Sequence, residues 1–599
     1  MNFILQTTRK KSLLALILGI YLFSTQTAFS QHRTWDGGAG TSTWSDAANW
    51  SGDVVPTTTD SVTIIAGANV IVTSTTTILK LRVLGATGSQ GKVTINLGVT
   101  LTVNSTSSTS PTGANNGAVM LFGGIIDNSG VLYISGKQGL DALRFDNPTS
   151  GTVSSTYMGS GALTCDTQNG TGGGGSANTG AGINFSQTSG TATFTLSSTA
   201  TYNFFIFVTS GTGGTKSAIY CPKGTAKIDG TGTITVTGGK RSIRVIPNAI
   251  NEAPNLTIES GVTMNLSTTI TTASIGMVLL DAGTFAGISV NMTNKGILNF
   301  SGDANHPIYM NNQATATNTI NFTNEGTINI NGTFADATAS ATTGGINMAG
   351  GVNASGHGNI FTNSGAINFN TTSGGTSTKP LFICSISPIN VANNSGTITV
   401  GTFGAPVTAI RLGDGETTFN NTGTIEINAG NILGFTSTGD AKFNNNAGGI
   451  LNFKLAVATT AVSNNVVFTN AGGTLKGSGT FTNTASNLFT SGTIAPGQSP
   501  GKIILSGATL TLNGTYNAEI DGTAGAGVTG GNDQIEAGTA AATVNVGSLT
   551  IATTFAMGYT PTNGDIIVLI NTTGGTVSGT PTFSPALPAN WTSSTTGGN

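Results

Sequence analysis

Phe322-Thr-Asn324-Glu-Gly326-Thr-Ile328-Asn-Ile330 carries the pattern from which the fold of this chain can be read. The alternation Ile328-x-Ile330 is that of a half-buried strand, with every second side chain turned inward. Asn-x-Gly ahead of it reads as a turn, because both residue types tolerate left-handed backbone angles that others resist. The same string returns as Phe361-Thr-Asn363-Ser-Gly365-Ala-Ile367-Asn-Phe369 and as Phe419-Asn-Asn421-Thr-Gly423-Thr-Ile425-Glu-Ile427. Looser copies run through Asn128/Gly130, Asn294/Gly296, Asn394/Gly396, Phe443 to Phe453 and Phe468 to Leu475. From Asn294 through Asn324, Asn363, Asn394, Asn421 and Asn445 to Asn470 the steps are 30, 39, 31, 27, 24 and 25 residues.

A second strand precedes each turn: Leu143-Arg-Phe145, Ile243-Arg-Val245, Ile275-Gly-Met277, Ile308-Tyr-Met310, Ile346-Asn-Met348 and Ile410-Arg-Leu412. Each repeat therefore carries at least two short strands joined by loops of variable length. One repeat cannot bury its inner face, whereas stacked copies build one continuous column. Unequal steps exclude a propeller, whose blades must be alike to close a ring. The expected architecture is all-β, a right-handed parallel β-helix, with on the order of 15 coils over roughly 61–490 and a length of that part on the order of 70 Å at about 4.8 Å per coil. Its asparagines are expected to form an internal hydrogen-bonded ladder. The organisation reads as a Trp-rich N-terminal cap over 31–60, β-helix repeats over 61–490 and a distinct C-terminal β-region over 491–599.

Composition agrees. Of 599 residues only 22 are Lys or Arg and 24 Asp or Glu, while Gly fills 87 positions. Gly, Thr, Ser and Asn disfavour helices, and the scarcity of charge excludes charge-driven disorder. No basic stripe exists to neutralise phosphates, so nucleic acid is not an expected partner. Residues 1–30 read as a cleaved export signal: Arg9, Lys10 and Lys11, the apolar run Leu13 to Phe23, then Ala28-Phe29-Ser30. The mature chain then carries 19 Lys+Arg against 24 Asp+Glu, a net of −5, and no expected transmembrane segment. The three cysteines, Cys165, Cys221 and Cys384, are too few and too scattered for a disulfide framework. With His32, His306 and His357 isolated as well, neither metal nor cofactor is expected.

Thr34-Trp-Asp-Gly-Gly, Trp44, Ala48-Asn-Trp50, Val55-Pro56 and Asp60-Ser-Val-Thr-Ile64 together resemble the opening of large secreted or surface β-helical repeat proteins of Gram-negative bacteria. Gly492-Thr-Ile-Ala-Pro-Gly-Gln-Ser-Pro-Gly501 is similar to the segment that closes helices of the autotransporter-passenger type, without a translocator barrel. There it precedes a strand-rich region similar to Tyr516 to Ile520, Asp533 to Ile535, Gly558-Tyr559 and Gly564 to Ile566. The resemblance is specific at both ends and generic in the middle. It implies an adhesin-like protein, secreted or held at the cell surface.

Chemistry has few footholds. Gly497-Gln-Ser499-Pro-Gly501 fits the serine nucleophile elbow by letter, yet Pro500 has no N–H to donate to an oxyanion. Gly525-Ala-Gly527-Val-Thr-Gly530 fits a dinucleotide fingerprint, but Gly531-Asn-Asp533 follow where a helix should start. If Leu143-Arg-Phe145 and Leu163-Thr-Cys165 share a register, Asp146 and Asp166 stack on adjacent coils. With Arg144 they would then form a carboxylate pair able to act on an acidic sugar; otherwise both are turn aspartates. The same register places Cys165 and Cys221 inward as small hydrophobes and leaves Cys384 unplaced. Its outward position holds Arg144, Thr164, Tyr220, Arg244, Gly276, Tyr309, Asn347, Phe382 and Arg411, a candidate glycan-binding face of guanidinium and aromatic groups. Trp35, Trp44 and Trp50 are read either as a sugar platform or as the cover of the first coil.

The expected function is non-enzymatic: an exported β-solenoid serving as a surface adhesin or extracellular structural protein, with polysaccharide or cell-surface partners. The alternative is a polysaccharide lyase or glycoside hydrolase on the same scaffold. Ice binding would need regular Thr-x-Thr ranks, and Thr191 to Thr195 and Thr231 to Thr237 stand isolated.

Overall fold

The computed structural model describes residues 31–599 except 106–116, 137–139, 149, 168–179, 206–216, 238–240, 269–275, 303–305, 313–317, 332–343, 351–357, 371–381, 385–389, 402–407, 414–416, 435–440, 458, 463–465, 483–488, 498–499, 541, 557 and 596–599. The export signal read over 1–30 lies outside the described residues. The chain is a right-handed parallel β-helix. A coil has three strands, and from Lys92–Ile95 to Ala441–Asn446 each strand pairs in parallel with the third strand after it. Face 1 holds strands such as Asp141–Asp146, Ile183–Phe185, Ser217–Cys221 and Arg241–Val245. Face 2 holds the strands ahead of the Asn corner, such as Thr319–Asn324, and face 3 those after it, such as Thr327–Ile330. The sequence repeat spans faces 2 and 3, and the strand recognised upstream of each turn belongs to face 1.

Alternation supplies the core. On face 1 one inward row runs through Val83, Leu121, Phe145, Phe185, Cys221, Val245, Leu280, Met310 and Met348 in register; those also in register with Cys384 and Leu412 extend it. Cys384, unplaced from the sequence, pairs in backbone register with Met348 and Leu412. Face 2 stacks Phe322 on Phe361 at 5.5 Å, and Phe419 on Phe443 at 5.0 Å.

The corner asparagines form the expected ladder. Nδ2 of Asn294, Asn324, Asn363, Asn394, Asn421 and Asn445 each donates to Oδ1 of the next, at 2.7–2.8 Å. All are buried, so each bond is made where an unpaired amide is costly. The corner glycines serve a different purpose from the one their turn chemistry suggests. None of Gly326, Gly365, Gly396 and Gly423 is among the positive-φ glycines. A Cβ on any of them would instead lie 2.0–2.2 Å from the carbonyl oxygen of the corner glycine one coil earlier. Glycine is required there because backbone packs on backbone.

The ends differ. At the N-terminus Trp35, Trp44 and Trp50 are all buried, at 4%, 1% and 0% exposure, with edge-to-face contacts at 5.0 and 4.8 Å. Trp50 Nε1 donates to the Trp44 carbonyl at 2.7 Å. They seal the first coil and leave no open platform. The form changes toward the C-terminus, and before residue 490: Val466–Thr482, Thr509–Ile520 and Thr543–Phe555 each run unbroken where earlier coils have two strands and a corner. Parallel pairing nevertheless continues from the repeats through Lys502–Ser506, Gln534–Ala537 and Ile570–Thr572 on face 1. These long-stranded coils are joined to the same stack.

Candidate functional site on face 1

The outward row of face 1 is Arg82, Met120, Arg144, Asn184, Tyr220, Arg244, Leu279, Tyr309, Asn347 and Arg411, with Ile383 in backbone register between the last two. Arg144, Tyr220, Arg244, Tyr309 and Arg411 stand where the alternation places them. Three positions are corrected. Thr164 belongs to face 3, Leu279 replaces Gly276 by a shift of three residues, and Ile383 replaces Phe382, which pairs with inward Ile346 and Ile410. Arg82 is not among the residues expected from the sequence, although its Leu-Arg-Val triplet matches Ile243-Arg-Val245.

The row is not one continuous binding strip. Met120 and Leu279 are 1% exposed, and Asn184 and Asn347 are buried between the longer side chains. Tyr220 and Arg244 are direct neighbours, with the guanidinium carbon 5.0 Å from the ring centroid, a cation–π contact. The Tyr220 hydroxyl donates to Asn248 Oδ1. Burial pushes the Tyr220 phenol up to about 12, against the opposing pull of Arg244. Arg241, next to them, is lowered to about 10 by burial and by Arg244, so it stays charged at neutral pH. Tyr309 stacks on His306 at 5.0 Å and reaches Asn311 Oδ1 at 3.4 Å; Asn311 in turn donates to Asp281 at 3.0 Å.

Arg144 is occupied from within. Its Nε donates to Asp146 Oδ2 at 2.9 Å and its Nη1 to Asp141 Oδ2 at 3.1 Å. Asp141 also accepts from Ala181 N–H at 2.9 Å and Asn184 Nδ2 at 2.7 Å. Burial alone would lower the Arg144 pKa, and the two carboxylates raise it above its ordinary value. A guanidinium held this way is a structural clamp with little left to offer an acidic sugar.

The carboxylate pair does not form. Asp146 lies on face 1 opposite Phe122, whereas Asp166 lies on face 3 opposite Ser135 and Phe205. Asp166 Oδ2 accepts the Tyr133 hydroxyl at 3.0 Å. Leu163-Thr-Cys165 copies the letters of a face 1 triplet but follows a corner, and that corner, not the triplet, decides the face. Cys165 is accordingly inward on face 3 and Cys221 inward on face 1, both fully buried. Burial raises both thiols, Cys221 to about 12. Ser499 of the elbow-like string lies outside the described residues, and the second glycine string opens onto strand Gln534–Ala537 rather than a helix. Among the described residues no three His, Cys, Asp or Glu side chains gather as a metal site, and no helix is long and apolar enough to cross a membrane. No family model, curated protein or solved structure matches this chain.

Proposed function

We propose that this chain is an exported, elongated scaffold acting outside the cell as an adhesive or structural element in contact with glycans, and that it binds without cutting. The observation that supports this reading most is the separation of Asp146 and Asp166 onto different faces of an otherwise uninterrupted stack. That stack offers long outer faces of Thr and Asn, such as the register row Thr257, Thr293, Thr323, Thr362, Asn393, Asn420 and Asn444. Uncharged hydroxyls and amides repeating once per coil suit a hydrated, hydroxyl-rich polymer. The Tyr220–Arg244 pair with Arg241 is the part of face 1 with chemistry for an acidic sugar.

The test is incubation of mature chain 31–599 with acidic and neutral polysaccharides, followed by size-exclusion analysis of polymer length and of co-eluting protein. Unchanged length with co-elution of at least one polymer is the expected result. Shortening of any polymer, or co-elution with none, overturns the reading. Arg244→Ala with Tyr220→Ala should weaken an acidic polymer selectively, while Arg144→Ala should act through stability alone.

A further inference from the structure

Three of the four tryptophans are sealed in the N-terminal cap; the fourth, Trp591, is only half-buried. It sits at the other end of the rod, with its ring edge-on to Phe555 at 5.8 Å and 68°. Tyr559 lies nearly parallel to the same Phe555 ring, at 6.4 Å and 20°. Phe555 ends strand Thr543–Phe555, and a turn closed by Tyr559 N–H on the Ala556 carbonyl brings the tyrosine back. Trp591 is brought in by the segment that Ser584 N–H ties to Ile551, and by its own N–H on Pro588. All three rings remain partly open to water.

A fixed acceptor stands beside them. Asp565 Oδ2 accepts the Tyr559 hydroxyl at 3.0 Å and Thr562 N–H at 2.8 Å, and its Oδ1 accepts Thr562 Oγ1 at 2.8 Å. Asp565 is the only charged residue between Ala556 and Thr595. The cluster therefore has nothing to attract an acidic polymer and one group to repel it. A pyranose ring has the opposite needs: a flat C–H face that packs on aromatic rings and hydroxyls that donate to a carboxylate. Three rings with one carboxylate match one or two sugar units, far less than the ~800 Å² per partner of an ordinary protein interface.

We infer that Phe555, Tyr559 and Trp591 form a stacking platform for a neutral glycan, with Asp565 as the hydroxyl acceptor. The platform rests on the glycan-contact reading above and adds to the coil face a separate contact, for neutral sugars, at the C-terminal end.

The mature chain would be titrated with soluble hexasaccharides of β-linked glucose, N-acetylglucosamine, xylose and mannose, and with an oligogalacturonate, while tryptophan fluorescence is followed. Because Trp35, Trp44 and Trp50 are buried, the ligand-sensitive emission reports Trp591. A saturable change with a neutral oligosaccharide is expected. Read by isothermal titration calorimetry, because the substitution removes the fluorescent reporter, Trp591→Ala should weaken that binding at least about tenfold, as loss of a stacking ring does. Trp591→Phe should keep most of it, and Asp565→Asn, which leaves the rings in place, should weaken it several-fold. The inference fails if no neutral sugar changes the emission, if only oligogalacturonate does, or if Trp591→Ala and Asp565→Asn both bind like the parent. It also fails if the chain self-associates in sedimentation velocity and Trp591→Ala abolishes that association. If every neutral polymer that co-elutes does so equally with parent and Trp591→Ala, this site is overturned and the proposed function stands; co-elution with no polymer overturns the proposed function itself.

Discussion

Asn363 accepts the side-chain N–H of Asn324 and donates its own to Asn394, both at 2.7 Å and both out of water. Asn329, on strand Thr327–Ile330 of the preceding coil, makes the same kind of contacts to Asn299 and Asn368 at 2.8 and 2.9 Å on the partly exposed outer surface. Water replaces the outer bonds and cannot reach the inner ones. Asn363→Ala should therefore lower the opening free energy of neighbouring coils by about 2–3 kcal/mol, against less than about 1 kcal/mol for Asn329→Ala. Hydrogen exchange over strands Thr319–Asn324 to Thr424–Ile427 reads both, and equal effects would remove the ladder from the account. Asp533 poses a different residue-scale test. Its carboxylate accepts Gly501 N–H at 2.6 Å and Glu519 N–H at 3.0 Å, and burial, with Glu519 and Asp521 nearby, raises its pKa to about 6. A raised carboxyl pKa means the folded state prefers the protonated form. The benefit is complete below the unfolded value of about 3.9 and is lost as pH rises through about 6. The C-terminal coils should thus open more readily at pH 7 than at pH 5, and Asp533→Asn should flatten that dependence; a slope of the opposite sign contradicts it.

At the scale of the element, the N-terminal cap shows how local the energetics are. Trp50 is fully buried between Trp35 and Trp44, so Trp50→Ala should cost about 3–5 kcal/mol there. In a stack where each coil touches mainly its neighbours, that loss stays near the end. Hydrogen exchange should rise across residues 32–72 and remain unchanged at the asparagine ladder. Strand elements were the most legible part of the chain, because Ile328-Asn-Ile330 and its copies state the period, the inward residue and the corner at once. The assignment of a strand to a face was less legible. Leu163-Thr-Cys165 and Leu143-Arg-Phe145 look alike, and only hydrogen bonding between coils separates face 3 from face 1. That one ambiguity produced the Asp146/Asp166 pair and misplaced Thr164. Loop length produced the other slips: Ile275-Gly-Met277 and Phe382 sit next to long insertions, where letters alone leave the register free by one to three residues. The aromatic cluster at Phe555, Tyr559 and Trp591 lies beyond the repeat, and no spacing in the sequence ties Trp591 to Phe555.

The whole molecule is one stack whose order is set by backbone pairing, with corner glycines, inward hydrophobes and asparagines each repeated coil by coil. Few of its charges stand in the core, where Arg144 takes both Asp141 and Asp146; others pair on the outer surface, as Lys227 and Lys295 do in sharing Glu259. Its function, on the reading above, follows from length and periodic surface, with a separate sugar platform at one end. Both depend on the stack being continuous from His32–Thr34 through the C-terminal strands at Ile570–Thr572. Small-angle X-ray scattering of the mature chain tests this most directly. At about 4.8 Å per coil the account predicts a skewed, rod-like distance distribution with a maximum dimension on the order of 90–100 Å. A symmetric distribution ending near the ~65 Å of a compact globule of this length would contradict it.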